Sequence, residues 1–435
     1  MEKYNSFFLN RKYNISLYIH IPFCRSKCYY CDFFSIKHSD ELSRAIVKAI
    51  IKQYRYYISK LPDVELSTIY IGGGTPSIVN YKILELLFYE LKKNYLNNNH
   101  PWNIREWTVE ANPESLSEDF IKVCNDHGIT RLSLGVQSLH DEYLNILGRP
   151  GNSKDIYRAI ALLQKHWKGD VNYDILSGIP YRSQETDNDY DREKILLYDL
   201  NKLIGTNPGH ISLYTLTVEK NTELYRLIKE HKYKAMNIDR ETEEWLKSIK
   251  LLKEKGYYQY EVSNFSKPGK ECIHNIRYWN MEPYLGLGPS AVSTMPLSEG
   301  SSEVKIARIT GQHNISKFIR DTNLRNPNFF NSGIEIVPSD DFLFENLMMG
   351  FRMKKGISRK TFIRRFGASL EVFFPELFKK MEKDYLLKKS YKSYTLTEKG
   401  FLTLNTILIN FQKYMELPSL RQIQVQWPQD TTREI

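Results

Sequence analysis

Cys24, Cys28 and Cys31 stand in a Cys-x3-Cys-x2-Cys spacing, inside the run Tyr-Ile-His-Ile-Pro-Phe-Cys-Arg-Ser-Lys-Cys-Tyr-Tyr-Cys-Asp-Phe at 18–33. A loop this compact, leaving the apolar strand-like run at 17–21, can turn three thiolates toward one point. A cubane [4Fe–4S] cluster normally takes four thiolates, so three would leave one iron open to a small ligand. Other chemistries use cysteine too. Zinc commonly takes Cys-x2-Cys pairs with a second pair downstream, and the remaining Cys124 and Cys272 are far apart and unpaired. A disulfide framework is disfavoured, because five cysteines in 435 residues without a signal-peptide pattern point to a reducing compartment. The cluster is the expectation that the rest of the chain supports.

The elements that would position such a loop can be read from periodicity. Six strand-like segments, at 16–21, 68–71, 107–110, 131–136, 171–176 and 210–216, are each followed by a stretch with helical spacing. Over 81–93, Ile83, Leu84, Leu87, Phe88 and Leu91 share one helical face, with Asn80 as N-cap. Ser115 and Glu118 have the spacing of a capping box for the next helix, and Gly128 follows as its stop. Alternating β and α segments imply a parallel sheet with right-handed crossovers. Six units predict an α/β fold, an open (β/α)6 partial barrel. Chemistry in such barrels gathers at the carboxyl ends of the strands. Gly72-Gly73-Gly74-Thr75-Pro76 follows the second strand there, and glycines let a ligand approach backbone N–H and C=O groups. Glu110, Gln137 and Asp174 stand at or near the ends of the third, fourth and fifth strands, and Arg149 follows in Leu-Gly-Arg. Singly, each passes as a capping or hydrogen-bonding residue. Together they suit a zwitterionic ligand with hydroxyls, since arginine grips a carboxylate in two places and Asp or Gln bonds hydroxyls.

Several runs carry a resemblance. Tyr-Ile-His-Ile-Pro-Phe-Cys at 18–24, Ile-Gly-Gly-Gly-Thr-Pro-Ser at 71–77 and Glu-Ala-Asn-Pro at 110–113 are three of them. Leu-Gly-Val-Gln-Ser at 134–138, Asp-Ile-Leu-Ser-Gly-Ile-Pro at 174–180 and Glu-Val-Ser-Asn-Phe at 261–265 are the others. They look like the coproporphyrinogen-oxidase-like branch of the radical S-adenosylmethionine (SAM) superfamily, over about 18–400. The resemblance implies a radical SAM partial barrel with a [4Fe–4S] cluster on Cys24, Cys28 and Cys31, and an electron donor for it. It implies SAM contacts from Tyr18, Gly73, Gly74, Thr75, Glu110, Gln137, Arg149 and Asp174, with Tyr30 in the aromatic place before the third cysteine.

Two groups within the branch can be told apart. The anaerobic coproporphyrinogen III dehydrogenases carry a further cysteine two residues after the third, and a longer segment ahead of the first. This chain has Phe33 there, and 23 residues before Cys24. Both departures favour the heme-chaperone group, which binds heme and passes it to an acceptor protein. Cys272-Ile-His-Asn-Ile-Arg-Tyr-Trp matches the H-N-x-x-Y-W pattern of that group, which implies His274 as heme ligand beside Asn275, Tyr278 and Trp279. An imidazole is a usual axial ligand of heme iron, and aromatic rings can cover the macrocycle. An aromatic-rich loop with one histidine is equally an ordinary way to pack a core. Cys124 and Cys272 read as buried, inert thiols, and 286–290 as a backbone bend beside the same pocket.

Beyond about 330 the pattern turns helical, with predicted helices at 341–353, 359–366, 370–385 and 397–414 and a strand at 394–396. This is similar to the winged-helix-like C-terminal domain of the family. The expected organisation is a radical SAM core over 1–248, an extension with the heme-associated segment over 249–335, the winged-helix-like domain over 336–417, and an irregular tail over 418–435 without an assigned role. At 41% hydrophobic and 26% charged the chain is not disordered. It has no run long enough to span a membrane, so a cytoplasmic protein is expected, and the resemblance implies a place in porphyrin metabolism. The net charge of +10 suits anionic partners, either porphyrin propionates or an acidic membrane touched peripherally. No nucleic acid is expected, because the basic residues near Lys354, Arg364 and Lys388 form no recognition element.

Overall fold

The computed structural model describes residues 13–61, 64–98, 100–183, 191–298, 304–321, 331–415 and 425–428. All six expected strands form: β1 (Tyr13–Ile21), β2 (Val64–Gly73), β3 (Glu106–Ala111), β4 (Arg131–Gln137), β5 (Asp170–Ser177) and β6 (His210–Thr215). They pair in parallel, in chain order. Side chains alternate across a strand, and here the two sets differ in chemistry. Leu17, Ile19, Ile69, Ile71, Val109, Leu132, Ile175 and Ile211 form one set, buried in the main apolar core. Ser16, Thr68, Glu106, Arg131, Asn172 and His210 form the other, polar and also buried.

Packed on the apolar set are helices α1 (Asp40–Ser59), α2 (Tyr81–Asn97), α3 (Glu118–His127), α4 (Ser153–His166), α5 (Asp191–Ile204) and α6 (Ile238–Glu254). Ile46 and Ile50 of α1 and Leu84, Leu87 and Leu91 of α2 are fully buried in that core, each stabilising by about 1.5–3 kcal/mol. Asn80 caps α2 by accepting from Lys82 N at 3.0 Å, and Gly128 ends α3 in the left-handed conformation. The cap of α3 is Ser117, which accepts from Phe120 N at 3.2 Å, in place of the expected Ser115. The backbone turns once at 112–116, with Leu116 N bonded to Asn112 O, so the helix starts later. Ser115 instead bonds the Ser77 hydroxyl at 2.6 Å.

The sheet continues past the barrel. The β7 (Tyr258–Gln259) and β8 (Asn264–Ser266) hairpin adds to β6, and a short helix, α7 (Ile273–Trp279), follows. Then β9 (Tyr284–Leu287) pairs in parallel with β1 on its other edge. β10 (Val292–Ser298), β11 (Val304–Gly311) and β12 (Asn331–Val337) complete twelve strands. The expected bend at 286–290 therefore begins inside a strand. A Cβ on Gly286 would lie 2.1 Å from Val292 O, so only glycine lets β10 fold back there.

A second apolar core gathers Phe342, Leu347, Phe362, Phe374, Phe378 and Phe411 of the C-terminal helices together with Ile306 of β11 and Val337 of β12. The expected helix at 359–366 forms as Arg359–Phe366, and the one at 341–353 runs over Ser339–Gly350. The helix expected at 370–385 breaks at Phe374, which Pro375 pushes out of helical geometry. That at 397–414 divides at Thr403. Ile357–Ser358, Leu387–Lys389 and Ser393–Leu396 form a small antiparallel sheet beside these helices. The expected tail is only partly an irregular appendage: 418–424 and 429–435 lie outside the described residues, but Trp427 is 3% exposed and packs on Phe342. Among the described residues no helix is long and apolar enough to cross a membrane.

Candidate functional site

The carboxyl ends of the barrel strands surround a cavity of about 380 Å³. The loop after β1 brings Cys24, Cys28 and Cys31 to its wall. Backbone bonds anchor that loop: Gly74 N to Ile21 O at 2.8 Å, Thr75 N to Phe23 O at 2.6 Å and Tyr29 N to Leu147 O at 2.9 Å. Gly73 has φ +107°, and a Cβ there would fall 2.2 Å from the His20 ring. The glycine run is thus required for the close approach of β2 to the cysteine loop.

Polar partners already face the thiols. Thr75 Oγ1 donates to Cys24 Sγ at 3.8 Å and accepts from Asn112 Nδ2 at 2.9 Å. Arg149 Nη1 donates to Cys28 Sγ at 3.7 Å, and its Nη2 to Gly135 O at 2.9 Å. Burial works against the Arg149 charge, but Tyr30, Cys28 and Glu114 outweigh it and raise its pKa. Burial likewise raises the hydroxyl of Tyr30 and the thiols of Cys24 and Cys31.

The floor is acidic. Glu110 accepts from Tyr70 Oη at 2.7 Å and Gly73 N at 3.1 Å. Burial, with Asp174 adding, still pushes its carboxyl up to about 7. Asp174 accepts from Ser133 Oγ at 3.0 Å and Asn172 Nδ2 at 2.8 Å, and burial raises it too. Gln137 reaches the cavity from a bulge in β4, with φ +67°. This is an uncommon conformation for a residue with a side chain. The following turn is pinned by buried Asp199, which accepts from Ser138 Oγ at 2.7 Å and Leu139 N at 3.0 Å.

All the residues expected from the sequence to hold cluster or SAM line this cavity, apart from Tyr18. Tyr18 points into the barrel, its hydroxyl bonded to His20 Nδ1 at 2.9 Å and its ring 6.3 Å from that of Tyr70. Tyr70, Asn112, Ser133 and Tyr214 line the cavity and were not expected. For Tyr70 the signal was strand alternation, since it shares a face with Gly72 of the glycine run.

His274 is not at the cavity either. Glu106 caps α7, accepting from Ile273 N at 2.8 Å, His274 N at 3.0 Å and Cys272 Sγ at 3.2 Å. His274 Nδ1 meets Thr68 Oγ1 at 2.9 Å, and the ring lies 5.1 Å from Tyr70. The residue is 8% exposed, and burial pushes its pKa down to about 3. With Nδ1 taken by Thr68, a metal could meet this ring only through Nε2. Tyr278, at the far end of α7, is 46% exposed.

Among the described residues no trio of His, Cys, Asp or Glu closes on a single ion. Three thiols around one cavity, two of them receiving hydrogen bonds, instead fit an iron–sulfur cluster, whose irons each take one thiolate.

Residues 18–192 match the radical SAM superfamily, and residues 337–403 match the HemN C-terminal domain. The chain is 32% identical to the heme chaperone HemW of Buchnera aphidicola subsp. Schizaphis graminum, over 91% of this chain and 97% of that protein. It is 30% identical to the heme chaperone HemW of Escherichia coli, again over 91% and 97%. The chain belongs to the HemW family. A mitochondrial radical S-adenosyl methionine domain-containing protein 1 from Bos taurus is 28% identical over 97% of this chain and 90% of its own length. The structure of coproporphyrinogen III oxidase (HemN) from Escherichia coli superposes with a TM-score of 0.75 at 20% identity, covering 93% of this chain and 91% of that one. That likeness shows the shared radical SAM fold. Membership of a radical SAM family implies a [4Fe–4S] cluster and SAM.

Proposed function

We propose that this chain is a heme chaperone: it binds heme, one [4Fe–4S] cluster and SAM, and passes the heme to an acceptor protein. The observation that carries this reading is the match along nine-tenths of the chain to HemW proteins named as heme chaperones. In this reading Cys24, Cys28 and Cys31 hold the cluster, and an electron donor serves it. When bound, a cluster of this kind supplies a reducing electron to SAM.

The chain's own residues do the holding. Arg149 and Thr75 donate to the cysteine sulfurs and keep them oriented. The backbone of Gly73 and Gly74 forms one wall for SAM, Glu110 and Asp174 offer negative charge to its cationic groups, and Gln137 reaches in from the bulge. Oxidative decarboxylation of coproporphyrinogen III rests on a likeness of fold alone. Phe33, 70% exposed at the cavity mouth, stands where that enzyme's further cysteine is expected.

The test is anaerobic reconstitution followed by heme titration at the Soret band. Saturable binding of one heme per chain, and its transfer to an apo-hemoprotein, is the expected result. Absence of saturable binding would overturn the chaperone. In parallel, Cys24→Ala should abolish bound iron and SAM, and unchanged iron content would remove the cluster.

A further inference from the structure

Gln137 is held in a conformation that its residue type disfavours. Its φ is +67°, and Ser138 N donates to Val136 O at 2.9 Å, so Gln137 sits at the centre of a γ-turn of the rare, strained hand. A side chain in such a conformation persists only where its surroundings over-determine it, and such places cluster at ligand sites. The bulge in β4 gives the strain a use. Gly135 lies opposite Asp174 and Gln137 opposite Ile175, so two residues of β4 advance against one of β5. The Gln137 amide thereby meets the Arg149 guanidinium and the Asn112 amide. A Cβ on Gly135 would stand 3.2 Å from Gln137 Nε2, 3.7 Å from Arg149 Nη2 and 2.8 Å from Asn112 Oδ1. All four residues line the cavity.

The constraint on the turn comes from α5, 60 residues further along the chain. Asp199 is 1% exposed and shares a helical face with Leu196, Leu200 and Leu203, which are buried in the apolar core. Every hydrogen-bond or ion-pair partner of its carboxylate among the described residues belongs to the turn. Oδ2 accepts from Ser138 Oγ and Leu139 N, and Oδ1 lies 3.3 Å from His140 Nε2. Ser138 Oγ in turn accepts from His140 N at 3.2 Å. A carboxylate among leucines costs free energy that an apolar side chain would not, so packing alone gives no reason for it. Asp199 itself does not line the cavity.

We propose that Asp199 is a positioning residue for SAM: through Ser138 and Leu139 it holds the strained turn that presents the Gln137 amide to the cavity, and it acts on the ligand only through that amide. The proposal rests on the reading of the cavity as a SAM site. Without the carboxylate the turn relaxes, and the amide leaves its place beside Arg149.

The experiment measures SAM affinity by calorimetry on anaerobically reconstituted full-length protein, with iron content as a control. Asp199→Ala should weaken SAM about tenfold, and Gln137→Ala by at least as much, with iron unchanged in both. Asp199→Asn, whose amide oxygen can still accept from Ser138 and Leu139, should recover most of the loss. The double variant should bind no more weakly than Gln137→Ala alone, because the two residues act as one unit. A merely structural role would weaken SAM with or without the Gln137 amide. Wild-type affinity in Asp199→Ala, or single losses that multiply in the double variant, would overturn the proposal and leave the SAM site standing. If Asp199→Ala does not fold, Ser138→Ala replaces it in the same cycle. It should weaken SAM about threefold in wild type and not at all beside Gln137→Ala, and any other pattern overturns the proposal. Wild-type protein that takes up iron and binds no SAM would overturn the SAM reading and the proposal together.

Discussion

Glu110 is where protonation and ligand binding meet. Its carboxyl rises from an ordinary value near 4.5 to about 7, because burial outweighs the bonds from Tyr70 Oη and Gly73 N. The sign follows directly. The fold favours the protonated form, so its contribution to the stability of the ligand-free protein is full below 4.5 and lost as pH rises through about 7. SAM carries an ammonium and a sulfonium, so its binding favours the ionised form. SAM affinity should therefore fall as pH falls through about 7, as measured by calorimetry at a series of pH values. Glu110→Gln should bind weakly with a flatter profile. A steep profile in that variant would move the titration to another group.

Among the elements, α7 is the one whose placement changes its meaning. As a sequence it is a short aromatic-rich stretch with one histidine. In the fold it enters the barrel, where its first N–H groups are satisfied by Glu106, 167 residues upstream of Ile273. Arg277 continues the plug, donating to Ser16 Oγ at 2.9 Å and pairing with Glu282 at 2.5 Å. His274→Ala removes the bond to Thr68 and leaves a void beside Tyr70. It should lower stability by about 1–3 kcal/mol, read from urea unfolding, while the heme stoichiometry stays at that of wild type. Loss of heme with unchanged stability would return His274 to the role of iron ligand.

For the molecule as a whole, the barrel extension and the C-terminal helices share one apolar core, through Ile306, Val337 and the phenylalanines packed around them. Trp427 closes it from the far end of the chain, packing on Phe342 and donating from Nε1 to Met281 O at 2.7 Å. Trp427→Ala should cost about 3–5 kcal/mol and expose the C-terminal helices to proteolysis. Iron and SAM content should not change, because none of the residues that line the cavity belongs to this core. Reduced iron or SAM in this variant would show that the C-terminal core supports the cavity after all.

The sequence by itself determined the cysteine spacing, the six strands, the glycine run and the identity of most residues around the cavity. These signals are local: a period of two, a cap, a Cys-x3-Cys-x2-Cys loop, a strand end. Only the tertiary structure decided that Tyr70 reaches the cavity while Tyr18 stays in the barrel, since both share a face and register with one another. Likewise His274 is a natural ligand by residue type, and its burial comes from Thr68 and Glu106, each far away along the chain. The pairing of Glu261 with Met353 was equally hidden, because a β-bridge between residues so far apart in the chain leaves no periodic trace. Spacing along the chain predicts which groups face one way, whereas burial and hydrogen-bond satisfaction depend on what the fold brings opposite them.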